Sequence, residues 1–115
     1  MHIVRRAEAP GYTPPGHQDV AAWRLQGLQA GGPEKFAVAV SSYPPGAGAG
    51  PAPVPASCVY VVLDGEFTLE AEERTERLCV HDSVHLKAGE VRSIRNDGTR
   101  SATLLVVTDT YASAK

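Results

Sequence analysis

The stretch Cys58-Val-Tyr-Val-Val-Leu-Asp-Gly-Glu-Phe-Thr-Leu69 decides the fold. Its first half is β-branched and aromatic, and the same character resumes after Asp64-Gly65. An Asp-Gly pair between two such runs predicts a tight β-hairpin. Working outward, Glu70-Ala-Glu-Glu-Arg-Thr-Glu76 reads as a solvated hairpin tip, and residues 77–80 return as a strand. His81-Asp82 makes the next turn. Residues 83–86, 91–95 and 102–108 are further strands, with Asn96-Asp97-Gly98 as the last hairpin turn.

Upstream, residues 36–42 alternate Phe36, Val38 and Val40 with Ala37, Ala39 and Ser41, which is the two-residue period of a strand. Residues 20–28 place Trp23 and Leu25 two apart and favour a strand as well. Between these elements and the deciding stretch lies Pro44-Pro-Gly-Ala-Gly-Ala-Gly-Pro-Ala-Pro-Val-Pro55, which holds most of the nine prolines. Neither a helix nor an interior strand is expected there, only an ordered surface loop. Its alternating glycines do not make a phosphate loop, because the prolines prevent the helix that such a loop must open. About seven or eight short strands with turn signals between them and no helix indicate an all-β sandwich or barrel. The expected organisation is an N-terminal arm over residues 1–19 with a short strand at His2-Ile3-Val4, a barrel over 20–110 and a frayed tail over 111–115.

The totals set limits on function. A chain of 115 residues, 43% hydrophobic and 21% charged, is long enough for one self-sufficient core. A net charge of −2 gives no electrostatic reason to expect nucleic acid or an anionic membrane. No apolar run reaches the roughly 18 residues of a membrane span. Arg5, Arg6 and Glu8 interrupt any signal-peptide core, so a cytoplasmic location is expected. Cys58 and Cys79 fit no CxxC pattern and are expected to be free thiols.

The residues 44–96 resemble the two motifs of the cupin superfamily. In the first motif a His-x-His pair is followed by a Glu and then a Gly; Gly65 matches the final glycine and Cys58 takes the glutamate position. The histidine positions fall on Pro51 and Pro53, or on Ala52 and Val54 with the shorter spacing. In the second motif Gly89 and Asn96 match, while His81 and Lys87 replace a glycine and a proline, and Arg92 takes the histidine position. The resemblance implies a single double-stranded β-helix, or jelly-roll barrel, of RmlC-like type. It implies no metal cofactor at the usual place, since proline and alanine side chains donate nothing and Arg92 puts a cation where the metal would sit. A transition metal remains possible only through displaced ligands, and His81 with His85 is the pair considered for that.

If Cys58 points inward as the family glutamate does, Tyr60 and Val62 follow it, and Val59, Val61 and Leu63 form an apolar outward strip. Such a strip predicts a homodimer. Arg92, Ile94 and Asn96 share a face by the same alternation. Arg92, Tyr60 and Cys58 are therefore the expected ligand-binding residues, suited to a small carboxylate. The bland alternatives are an Arg92–Glu90 ion pair at the barrel mouth, Tyr60 as core filler and Cys58 as an inert buried thiol. Three functions stay open: a metal-independent small-molecule binding protein; a cupin enzyme of isomerase, lyase or oxygenase type, with Tyr60 and His85 as acid and base or with displaced metal ligands; and an accessory dimerising subunit. No catalytic residue is assigned.

Overall fold

Ala37, Ala39, Ser41 and Tyr43 are buried, and Val38, Val40 and Ser42 between them are half-buried. A strand makes this pattern when one face meets a core. The alternation recurs along the computed structural model, which describes residues 1–111; residues 112–115 of the expected tail lie outside the described residues. The strands are β1 (Gly11–Tyr12), β2 (His17–Gln18), β3 (Ala21–Gln26), β4 (Phe36–Tyr43), β5 (Gly48–Pro53), β6 (Cys58–Asp64), β7 (Phe67–Ala71), β8 (Arg74–Leu78), β9 (Ser83–Leu86), β10 (Val91–Arg95) and β11 (Ala102–Asp109). They form a six-stranded sheet in the order β1-β3-β4-β11-β6-β9 and a five-stranded sheet in the order β2-β5-β10-β7-β8.

The pairings within both sheets are antiparallel. The chain passes from one sheet to the other after β1, β2, β4, β5, β6, β8, β9 and β10. This back-and-forth makes the all-β jelly roll that the sequence predicts. Tyr43, Val54, Val62, Phe67, Leu86, Ile94 and Leu104 fill the space between the sheets. The Tyr43 and Phe67 rings meet edge to face at 5.0 Å, a favoured aromatic geometry.

Four local expectations are corrected. Asp64-Gly65 does not close a hairpin: β6 is flanked by β11 and β9, and β7 belongs to the opposite sheet. The glycine is needed for another reason, because its φ is +77° and a Cβ there would stand 2.8 Å from the Cβ of Ala102. Asn96-Asp97-Gly98 likewise joins β10 to β11 across the sheets. The two-residue hairpin is Glu72-Glu73 between β7 and β8, where Ala71 pairs with Arg74 and both glutamates have positive φ. Turns of that kind match the twist of the strands they join, although Asn-Gly is their usual sequence.

The proline-rich segment is a strand rather than a loop. β5 pairs with β10 along its length and with β2 only at Gly48 and Ala49. Pro51 and Pro53 therefore lie where no second neighbour needs their missing N–H, which is the place a sheet tolerates proline. The N-terminal segment contributes β1 and β2, one to each sheet. His2-Ile3-Val4 forms no strand; the backbone carbonyl of His2 accepts a hydrogen bond from Gln26 Nε2 at 3.2 Å. No helix among the described residues is long and apolar enough to cross a membrane.

Asn96 holds the β10–β11 crossing in place. It is 1% exposed, donates through Nδ2 to the carbonyls of Tyr43 at 2.8 Å and Arg100 at 2.7 Å, and accepts from the Gly98 N–H at 2.9 Å. Asn96→Ala leaves three backbone groups without this partner, the buried Tyr43 carbonyl and the part-buried Arg100 carbonyl and Gly98 N–H. A loss of roughly 3–5 kcal/mol in urea unfolding is expected; a loss below about 1 kcal/mol would show that the crossing does not depend on this side chain.

Candidate functional site

The alternation along β6 turns Cys58, Tyr60 and Val62 inward, and all three are buried, while Val59 and Val61 are half-buried and Leu63 is exposed. β10 lies in the opposite sheet and turns Arg92, Ile94 and, just beyond the strand, Asn96 inward. The structure thus brings together the three side chains expected to line a pocket. Arg92 is 7% exposed and its Nε donates to the Tyr60 hydroxyl at 3.0 Å. The Tyr60 hydroxyl also stands within hydrogen-bonding reach of the Cys58 sulfur. Arg92, Tyr60 and Cys58 form one hydrogen-bonded relay through the interior.

Burial dominates the protonation of this relay. It raises the Tyr60 pKa, against the opposing pull of the Arg92 charge. It also raises the Cys58 pKa, and the smaller effects of Tyr60 and Arg92 do not reverse that. Both groups stay neutral at ordinary pH, so Cys58 is no activated nucleophile. Tyr43 is shifted strongly upward, chiefly by burial. His17 is shifted downward, first by burial, with its Pro15 hydrogen bond opposing and the Arg92 charge adding to the shift.

Among the described residues Arg92 has no acidic partner. The ion pairs among the described residues are Arg74–Glu76, Arg77–Glu66, Arg95–Glu70 and Arg95–Asp97. Glu90, its nearest acidic neighbour in sequence, instead accepts the Lys87 N–H at 3.0 Å. A buried guanidinium balanced by a single phenol is under-compensated, since an isolated buried charge is costly.

Beside the relay, an opening of about 300 Å³ separates β7 and β8 from β9. Leu69, Ala71, Leu78, Val84 and Leu86 line its apolar part, and Glu72, Glu76 and Glu90 stand among its polar residues. It adjoins the relay through two backbone pairings, Ala71 with Arg92 and Leu86 with Cys58. The Glu72 side chain stands close enough to Glu90 to influence its protonation. The Glu90 pKa is held below the usual carboxylate range, first by the Lys87 N–H and then by Glu72.

The donor set does not fit a family-type metal. Ala52 pairs with Arg92 in the sheet, and no group of three His, Cys, Asp or Glu side chains among the described residues is arranged to hold an ion. His81 sits in a turn at φ +71° and His85 Nε2 is 2.9 Å from Ser57 Oγ, so they form no such group. Tyr60 and His85 do not converge as acid and base either. They lie on successive rows of the β6–β9 pairing, opposite Val84 and Val59, and adjacent rows point to opposite faces. Both cysteines are free thiols, Cys58 buried and Cys79 exposed.

Arg24, Tyr12 and Tyr43 were not legible as interior polar groups. On β3 the alternation puts Trp23 and Leu25 on one face and Ala22 and Arg24 on the other. Trp23 lies outside, with the Arg6 guanidinium 3.8 Å from its ring centre, and Arg24 takes the face shared with buried Ala22. Strand alternation alone offered that choice, but nothing local decided it.

Known proteins place this geometry. Residues 39–108 match the cupin domain. A β-D-galactosidase of Mycobacterium tuberculosis is 47% identical over 106 residues, covering 92% of this chain and 91% of that one. Among solved structures, the polyketide cyclase RemF of Streptomyces resistomycificus superposes with a TM-score of 0.80 at 19% identity, over 95% of this chain and 79% of that one. An RmlC-like cupin of Shewanella frigidimarina gives 0.76 at 15% identity, over 95% and 90%. At those identities the two structures speak for the fold alone. The jelly-roll topology, the match over residues 39–108 and the near-full-length relative agree: this chain belongs to the cupin family.

Proposed function

We propose that this chain is a metal-independent hydrolase of β-D-galactosides that works in the space between its two sheets. The observation that carries this is the 47% identity to a β-D-galactosidase over nine-tenths of both chains, which leaves no room for an extra domain to supply that activity in the relative. Glycoside hydrolysis ordinarily needs two carboxyl groups, one to protonate the leaving oxygen and one to act as base or nucleophile. Glu90, held ionised, and Glu72 beside it line the opening next to the relay and would supply those roles. In the free chain they touch, closer than the 5 Å or more that glycosidases use. The sugar must therefore enter between them, displacing the turn that carries Glu72.

The purified protein, without a histidine tag and with chelator present, is expected to release nitrophenol from 4-nitrophenyl β-D-galactoside, and elemental analysis to find no stoichiometric transition metal. Absence of turnover, or turnover that appears only with added metal, would overturn the proposal. A second function is favoured by one specific observation, the buried and acid-free Arg92: binding of a small carboxylate at Arg92, Tyr60 and Cys58 without chemistry.

The homodimer is proposed on the outer face of the six-stranded sheet. Val38 and Val40 of β4, Val59 and Val61 of β6, and Leu105 and Val107 of β11 lie on consecutive outward rows there and are only half-buried. A contiguous aliphatic face of this kind is rare on a monomer. Light scattering at micromolar concentration is expected to report a dimer, and Val61→Glu a monomer. A monomeric parent protein would refute the dimer.

A further inference from the structure

β8 and β9 are the last strands of their sheets on one side of the molecule. Among the described residues β8 pairs only with β7 and β9 only with β6, so the two sheets part between these edges. Ala71, Leu78 of β8 and Val84 of β9 pack against the core from this seam and stay half-buried. Leu69 and Leu86 beside them are buried. These five side chains line the opening of about 300 Å³. Its Arg74, Glu76, Ser83 and His85 are exposed side chains at the rim, where water already meets them. The aliphatic part is different, because apolar surface left uncovered in a recess is stabilised by an apolar group that displaces its water.

Glu72 and Glu90 line this same opening. They also line a second, more open depression of about 670 Å³, where Glu73, Arg74 and Thr75 offer hydrogen-bonding groups. Ala71, Glu72, Arg74 and Glu90 are common to both. The carboxyl pair therefore stands at the boundary between the aliphatic recess and that depression. A glycoside with an apolar leaving group is divided in the same way, with hydroxyls on one side of the glycosidic oxygen and hydrocarbon on the other. Small-molecule sites run from roughly 300 Å³ upward, so the recess has room for one ring or a short chain. A second sugar there would press hydroxyls against aliphatic side chains and lose hydrogen bonds to water.

We propose that the substrate is a β-D-galactoside with an apolar leaving group, an aryl or short alkyl aglycone seated in the seam between β8 and β9. The galactose ring then lies on the other side of Glu72 and Glu90, in the open depression. The sugar and the reacting bond rest on the galactoside-hydrolase proposal, while the aglycone rests on the aliphatic recess alone. Hydrolysis breaks the bond between the anomeric carbon and the glycosidic oxygen. Water supplies the hydroxyl to that carbon and the proton to the departing alcohol or phenol, so no other reactant is needed.

The test is calorimetric titration of methyl, butyl and hexyl 1-thio-β-D-galactosides, whose sulfur link resists cleavage, into the wild-type protein, Leu78→Gln and Val84→Thr. Thermal unfolding checks that each variant folds. The butyl compound is expected to bind at least about tenfold tighter than the methyl compound to the wild type, as burial of three added methylenes implies. That gain should fall several-fold in Leu78→Gln and in Val84→Thr, which put polar atoms into the recess. The wild-type series needs no variant and decides the matter even if Leu78→Gln does not fold. Equal affinities along the series, no binding of any member, or an unchanged gain in both folded variants overturns the inference. In parallel, hexyl β-D-galactoside, phenyl β-D-galactoside and lactose are offered as substrates. Cleavage of lactose as fast as the apolar galactosides keeps the hydrolase and removes the aglycone recess. A chain-length gain in binding with no compound cleaved keeps the recess and removes the hydrolase.

Discussion

Glu90→Gln is expected to slow β-galactoside hydrolysis by about 10²–10⁴-fold, the usual contribution of a positioned acid or base. Glutamine keeps the size and one acceptor oxygen of the side chain, so the bond from the Lys87 N–H can persist and the fold should not change. What disappears is the ionised carboxylate. The Lys87 N–H and Glu72 hold the Glu90 pKa low, and the consequence for pH has a definite sign. A base with a depressed pKa stays ionised as pH falls, so the acid limb of the wild-type profile should lie below the range of an ordinary glutamate. Glu72→Gln should also slow hydrolysis, through loss of the second carboxyl group at the opening. If Glu90→Gln retains full activity in a folded protein, the carboxyl pair at the opening is not the chemical centre.

Arg92→Leu is the second large effect. Binding of a small carboxylate should weaken by roughly 30-fold to more than 1,000-fold, as loss of a buried charge-assisted contact costs about 2–5 kcal/mol. Stability should move little or even rise. Arg92 is buried with one neutral partner, and replacing an under-compensated buried charge with an aliphatic side chain is often neutral or favourable. A structural arginine would behave in the opposite way, with stability falling while binding stayed intact. Unfolding and calorimetry on the same variant therefore separate a recognition role from a scaffolding one. Unchanged carboxylate affinity would return Arg92 to the core as packing.

The inward face that carries Cys58, Tyr60 and Arg92 is legible in the sequence because strand alternation is a local rule. Once Cys58 is placed inward, Tyr60 and Val62 must follow, and the same period on β10 turns Arg92 inward with Ile94 and Asn96. The matching glycines and Asn96 serve local geometry too: Gly65 takes a positive φ beside Ala102, and Asn96 satisfies three backbone groups at a crossing. Features of this kind leave their mark in single residues.

Partner choice leaves no such mark. Asp64-Gly65 and Asn96-Asp97-Gly98 announce that the chain turns, but both flanks of β6 are taken by β9 and β11, so the strand after the turn must join the other sheet. The prolines of β5 are tolerated because β2 reaches only Gly48 and Ala49, a fact about a neighbour more than thirty positions away in sequence. On β3, Arg24 shares the face of buried Ala22 and stacks on Tyr12, while the Arg6 guanidinium lies over the Trp23 ring on the other face, a choice that no local signal makes. Turn chemistry and side-chain period act within a few residues and can be read along the chain. Which strands pair, which face is covered and which side chains meet at an opening depend on contacts between distant segments, and only the folded chain brings those together.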